Sequence, residues 1–207
     1  MGWVFGAKPN NIGEWLHKIY SRETNDTKQI CLDYAMVNMS EIYIAVEQTD
    51  KYGIKTITAE IMSIKFANER EDGFVYPQMG YNVYGEQCGV HQTSCPKRIL
   101  DVLTPTDDIT SNEWRDKCRK RLEHRASVSK LQDGDYIQFS EKIQFNNGEQ
   151  RDTFKIKSFN KKKILVAVSN DTGETLFRAQ IKNWRDIAFK KLEEDDLPWK
   201  AVNRMRP

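Results

Sequence analysis

The chain has 207 residues, of which 39% are hydrophobic and 30% charged. These proportions fit a globular protein with a modest core and exclude a low-complexity or disordered chain. The formal net charge of +2 hides a division: residues 1–112 carry a net −5, residues 113–126 a net +3 and residues 127–207 a net +4. A polyanion would therefore meet the C-terminal half first.

No apolar run approaches the ~18 residues needed to cross a membrane. The opening Met-Gly-Trp-Val-Phe-Gly lacks a basic segment followed by a long apolar one, and Gly6 breaks the myristoylation pattern. A cytoplasmic protein without a membrane partner is expected, and its four cysteines, Cys31, Cys88, Cys95 and Cys118, are expected to be reduced.

Trp3, Val4 and Phe5 form an apolar patch expected to dock on the core. Pro9 and Asn10-Asn11 offer a turn and a helix N-cap. Behind them Ile12, Trp15, Leu16, Ile19 and Tyr20 recur at helical spacing, the mark of an amphipathic helix; His17 falls off that face and reads as a surface residue. Three runs with period-two alternation follow, at residues 30–37, 42–47 and 54–66. They predict antiparallel strands with the helix laid across them. Cys31 lies inside the first run and reads as a small buried hydrophobe.

Residues 73–101 concentrate four glycines, two prolines, three tyrosines, two cysteines and a histidine. With no clean period of 2 or 3.6, they read as a long ordered loop ending at Pro96, which starts a short helix over 97–103. Tyr76, Tyr81 and Tyr84 stand out in it as a possible partner surface. Thr110-Ser-Asn-Glu113 matches a capping box. The helix behind it has a narrow apolar stripe, Trp114, Cys118 and Leu122, and is basic elsewhere. From Leu131 onward, turn signals at Asp133-Gly-Asp135, Asn146-Asn-Gly148 and Asp171-Thr-Gly173 separate five short strand-like runs, the pattern of a small SH3-like barrel. The expected fold is α+β, an antiparallel sheet with packed helices followed by that barrel. The expected parts are an α+β domain at 1–110, a basic connecting helix at 111–128, the barrel at 129–192 and a charged tail at 193–207.

Three chemistries are open to this sequence. Cys88, His91 and Cys95 are soft ligands at close spacing, which would suit zinc; a structural site wants four, and no second ligand pair is present. Cys95 before a helix, with His91 four residues back, could be a nucleophile with its base, although nothing supplies an oxyanion hole. Arg115, Arg119, Lys120, Arg121 and Arg125 on the basic helix, with Lys161, Lys162 and Lys163 in the barrel, further charge from Lys155, Lys157, Lys182 and Arg185, and Trp184 and Phe159 nearby, could hold a nucleic acid through phosphate neutralisation and base stacking. A solvated mixed-charge surface explains the same residues. No phosphate-cradling loop, Gly-x-Ser-x-Gly or His-Glu-x-x-His occurs. The leading expectation is a non-enzymatic binding protein without a cofactor; the zinc and Cys95–His91 arrangements are the alternatives.

Several motifs resemble a domain family of unknown function met in phages and bacterial mobile elements. They are the opening Met-Gly-Trp-Val-Phe, Cys31-Leu with Ile42-Tyr-Ile-Ala-Val-Glu47, Gly73-Phe-Val-Tyr, Ser94-Cys95-Pro96, Leu100-Asp101 and Glu113-Trp114-Arg115. Asp133-Gly-Asp135, Asp152-Thr-Phe154 and Asn183-Trp184 are similar to its β module. The resemblance implies a mobile-element context and a host protein or nucleic acid as partner, in a counter-defence or nucleic-acid-associated role; it implies no activity. Cys88 and His91 depart from the family pattern, which weighs against both the zinc and the Cys–His readings.

Overall fold

The computed structural model describes residues 4–71, 74–160, 162–169 and 171–200, with side chains for all of these except 5, 6, 66–71 and 74–78. The protein is mixed α/β, with two antiparallel sheets, one curled into a half-barrel, and few helices. It divides into compact units at residues 1–122 and 123–207.

The first unit is built on a six-stranded sheet. Its strands are β1 (Val4–Ala7), β2 (Arg22–Glu23), β3 (Thr27–Asn38), β4 (Glu41–Asp50), β5 (Lys55–Glu71) and β6 (Phe74–Gly85), in the order β1-β6-β5-β4-β3-β2. Strand β4 shows why the sheet is buried on both faces. Ile42, Tyr43, Ile44, Ala45 and Val46 are five consecutive buried residues, and alternate side chains must point to opposite faces. Ile42, Ile44 and Val46 pack with Leu16 and Tyr20 of α1 (Ile12–Tyr20). Tyr43 and Ala45 pack with Ile99 and Leu100 of α2 (Lys97–Leu100) and with Trp114 and Cys118 of α3 (Ile109–Lys130). Asn11 caps α1, its side-chain oxygen accepting from the backbone N–H groups of Gly13 and Glu14.

The long loop expected over residues 73–96 is replaced by strand and strap. Strand β6 pairs with β5 from Phe74 to Gly85 and with β1 from Gln78 to Tyr81. Its period was hidden because both of its faces are covered, so polar–apolar alternation is lost. Pro77 lies just past the end of the β1 ladder, where a missing N–H costs no pairing on that side. Val4 and Phe5, expected only to dock on the core, belong to β1; Trp3 lies outside the described residues.

After β6 the strap of residues 86–96 crosses the sheet face and is tied down group by group. The Tyr43 hydroxyl accepts from Ser94 N–H at 2.9 Å and donates to Glu41. Trp114 Nε1 donates to the Gln92 carbonyl at 2.8 Å, and the Trp114 and Tyr43 rings stack 6.4 Å apart. Arg115 Nε and Nη2 donate to the two oxygens of Glu86 at 2.7 and 2.6 Å, and Nη1 donates to the Thr104 carbonyl at 2.7 Å. Both side chains are enclosed, 5% and 1% exposed. Arg115, expected on a nucleic-acid surface, is instead the cation of a buried ion pair.

Two helix ends also differ from expectation. Helix α3 begins at Ile109, one residue before Thr110 of the expected capping box, because Asp108 takes the capping role: its carboxylate accepts from Ser111 N–H at 2.7 Å. The Ser111 hydroxyl and N–H bonds hold the Asp108 carboxyl below the usual range. Helix α2 stops at Leu100 rather than running to 103, and Thr104 then pairs with Ile57 through N–H to carbonyl at 2.9 Å and hydroxyl from N–H at 2.8 Å.

The second unit holds strands β7 (Tyr136–Gln144), β8 (Gln150–Phe159), β9 (Lys162–Val168), β10 (Thr175–Ala179) and β11 (Phe189–Leu192), in the order β10-β9-β8-β7-β11. The Asp133-Gly-Asp135 turn is stitched to β8 by Gly134 N–H to the Ile156 carbonyl and Ile156 N–H to the Asp135 carbonyl. Phe154, Ile156, Ile137, Leu165 and Ala167 fill the core between these strands. The segment expected to be a charged tail contributes apolar anchors. Leu197 and Trp199 are buried with Val168 and Leu192. The Trp199 indole lies where a Cβ on Gly173 would stand, 2.5 Å from it, and Gly173 itself has φ +74°; only glycine fits both constraints.

Removing one member of a buried ion pair leaves the other charge uncompensated. Arg115→Ala is expected to destabilise the protein by about 3–5 kcal/mol in denaturant unfolding, with Glu86→Gln/Arg115→Gln recovering part of the loss. A second expectation concerns Glu60, which accepts a hydrogen bond from the Tyr20 hydroxyl. Burial raises its carboxyl above the ordinary value, opposed by the Tyr20 bond and by Arg22. Its folded-state pKa being the higher one, stability is lost as pH rises through it. Glu60→Gln, which keeps an acceptor without the charge, should therefore raise the melting temperature at neutral and alkaline pH, with the gain shrinking towards acid pH.

Candidate functional site

A groove of about 1230 Å³ opens in the second unit. Four short segments line it. The last turns of α3 bring Arg125, Val128 and Ser129, and the β8–β9 connection brings Phe159, Asn160, Lys162 and Lys163. Strand β10, an edge of its sheet, brings Arg178. The chain after it brings Gln180, Lys182, Asn183 and Arg185. Asn160 and Asn183 turn the chain sharply at φ 48° and 55°, a left-handed conformation that asparagine tolerates better than most residues.

The lining is one-sided in charge. Among the described residues six cations, Arg125, Lys162, Lys163, Arg178, Lys182 and Arg185, line the groove with one carboxylate, Asp186. They fall into two groups. Lys163 Nζ donates to the carbonyls of Val128 and Ser129 at 3.2 and 2.8 Å, satisfying the C-terminal end of α3. Arg185 Nη2 donates to the Lys163 carbonyl at 3.2 Å, and the Arg185 carbonyl accepts from His124 Nε2 at 2.9 Å. These two build the wall. Arg125, Lys162, Arg178 and Lys182 are exposed, and none of the ion pairs among the described residues involves them.

The aromatic residues divide in the same way. Trp184, expected as a binding aromatic, is 9% exposed and belongs to the core with Leu165 and Ala179; the Arg185 guanidinium lies 5.4 Å from its ring. Phe159, at the end of β8, is 54% exposed and carries the Arg178 guanidinium 5.7 Å from its ring centre. Arg178 is the functional candidate that sequence reading did not single out; Phe159, noted there beside Trp184, is the aromatic that the structure leaves exposed in the groove. The sequence signal for Phe159 is an apolar side chain two residues before the Lys161-Lys-Lys163 run, whereas Arg178 reaches it only through the β9–β10 pairing.

The other candidates are dispersed. Lys161 lies outside the described residues. Arg119 and Lys120 are exposed on α3, with Arg119 paired to Asp116 at 3.3 Å, and Arg121 is half-buried; none of the three lines the groove. Tyr81 packs edge-on against Trp15 at 5.1 Å on the α1 side of the sheet. Tyr84 is an odd number of residues away on the same strand and so points to the opposite face, where its hydroxyl accepts from Asn82 at 2.6 Å. The two do not form one surface; the side chain of Tyr76 lies outside those described.

Cys95 is completely buried, and His91 and Cys88 are exposed. Among the described residues no three His, Cys, Asp or Glu side chains come together in a metal-binding group. Burial, with the neighbouring Cys118 and Glu86, pushes the Cys95 thiol well above its usual range. Burial also raises Cys31 and Cys118, each to about 11. A protonated, enclosed thiol is a packing residue rather than a nucleophile.

The model of a domain of unknown function (DUF6927) matches residues 105–191, a span that contains every residue lining the groove. No curated protein and no solved structure matches the chain.

Thiol reactivity distinguishes the cysteines. A maleimide or disulfide probe at neutral pH should modify Cys88 quickly and leave Cys31, Cys95 and Cys118 unmodified until denaturant is added. Mass spectrometry of the probe-treated native protein reads this directly.

Proposed function

We propose that the protein is a non-enzymatic nucleic-acid-binding protein of the cytoplasm, and that the groove of the second unit is its binding surface. The observation that carries this reading is the charge around the groove: among the described residues, six cations against one carboxylate, none of the six in a described ion pair and four of them exposed with no described side-chain hydrogen bond. Such a lining neutralises phosphates at little cost, because no internal partner has to be given up and condensed counterions are released from the polymer. Lys163 and Arg185 hold the walls in shape while Arg125, Lys162, Arg178 and Lys182 meet the ligand.

We read the unit that carries the groove as an SH3-like module. Its strands run as a meander in which the last, β11, returns to pair with the first, β7, after a single 3-10 turn at Trp184–Asp186. The resemblance of its motifs to a phage and mobile-element family supports reading this binding in a mobile-element setting, where a nucleic-acid-associated or counter-defence factor would act on host or element nucleic acid. Arg115 is not part of the binding set, since the fold uses it internally; Trp184 lines the groove but is 9% exposed and backs its wall.

Fluorescence anisotropy with labelled oligonucleotides over a range of salt concentrations tests the reading. Binding should weaken linearly in a log–log plot. Replacing Arg125, Lys162 and Lys182 together by Gln should flatten that slope by about 2–3, given roughly 0.7–0.9 per phosphate contact, while leaving the unfolding transition in place. Absence of binding to any oligonucleotide at low salt would sink the proposal.

A further inference from the structure

We infer that the groove takes a single-stranded polynucleotide, with one base stacked on the exposed face of Phe159 beside the Arg178 guanidinium. This rests on the nucleic-acid reading above and names which form of nucleic acid the site accepts.

Phosphate neutralisation alone does not distinguish single strands from duplex, since both present a charged backbone. Phe159 does. It is 54% exposed, lines the groove, and lies outside the apolar core of its unit. An aromatic face left in water next to a row of cations offers stacking to a planar base. In a duplex the base faces are already stacked on one another and cannot reach it. Arg178 lies over the ring, 5.7 Å from its centre, so a base stacks on the face it leaves free while the guanidinium meets a phosphate.

The polar lining suits unpaired bases too. Asn160, Gln180 and Asn183 are exposed along the groove, and none of their side chains makes a hydrogen bond to another described residue. Carboxamides offer a donor and an acceptor together, the combination that base edges present once they are unpaired.

The surface also continues. A second groove of about 550 Å³, lined by Phe145, Asn146, Asn147 and Phe177, shares Arg178, Gln180, Ile181 and Lys182 with the first. A polymer can run from one groove into the other past these shared residues, whereas a mononucleotide or free phosphate would use only part of the lining.

The full-length protein is to be titrated, at matched length and salt, with labelled single-stranded DNA, single-stranded RNA and duplex DNA. Both single strands, or one of them, should bind more tightly than the duplex; comparison of the two identifies the sugar that is preferred. Phe159→Ala should weaken single-strand binding by about 5- to 150-fold, the range expected for one base–aromatic stack, with little change in the salt slope or in duplex binding. Phe159→Trp should keep single-strand affinity. Because Phe159 is outside the core, both variants should unfold with the parent. Duplex binding as tight as, or tighter than, single-strand binding overturns the inference while leaving nucleic-acid binding standing. So does a Phe159→Ala variant with unchanged single-strand affinity. Failure of all three nucleic acids to bind removes the broader proposal and this one with it.

Discussion

The buried pair between Arg115 and Glu86 is the constraint on which the first unit depends. An ion pair taken out of water costs several kcal/mol of desolvation per charge, recovered only with good geometry and further hydrogen bonds. Here the guanidinium meets the carboxylate through two nitrogens and spends a third on the Thr104 carbonyl, while Glu86 also accepts from Ala59 N–H at 3.3 Å. Four segments are thereby joined: the strap after β6, the connection after α2, strand β5 and helix α3. Apolar contacts hold these layers together without specifying which groups meet. The fork-to-fork geometry of arginine and carboxylate supplies that specificity, with Trp114 and Tyr43 repeating the pattern in neutral form through the Gln92 carbonyl and the Ser94 N–H.

The second unit uses its charged residues differently. The cations that the fold needs are satisfied by backbone carbonyls: Lys163 by the end of α3, Arg185 by the Lys163 carbonyl. Arg125, Lys162, Arg178 and Lys182 line the groove as exposed cations without a described ion pair. A backbone carbonyl carries no formal charge, so Lys163 and Arg185 keep their full positive field while being held in place. The groove is therefore both structured and strongly electropositive, which is the combination that polyanion recognition requires.

The contrast between Trp184 and Phe159 shows the limit of reading aromatic residues from sequence. Both are close in sequence to basic residues, and Trp184 is the larger and more conspicuous. Burial separates them: the indole fills space beside Leu165 and Ala179, whereas Phe159 sits at the end of a strand where the sheet has no layer to cover it. The Gly/Tyr-rich stretch shows the same limit for strands. Tyr81 and Tyr84 suggested one aromatic surface, yet a strand sends residues three apart to opposite faces, and β6 is covered on both.

Sequence alone determined the elements whose partners are local or whose burial is one-sided. Helix α1 is legible because a single apolar stripe faces the sheet. The runs of β3 and β4, the Gly-containing turns of the second unit and the charge division between the two halves are legible for similar reasons, since each is written in spacing or composition. Tertiary structure alone decided whatever depends on a distant partner. Arg115 and Arg125 lie on one helix with the same side chain; Glu86 buries the first, and no described carboxylate pairs with the second. Cys95 stands before a helix, but the core closes over it. Arg178 reaches Phe159 only through the β8–β9–β10 ladder. A side chain's chemistry is set by its sequence position only when its neighbours in space are also its neighbours in the chain.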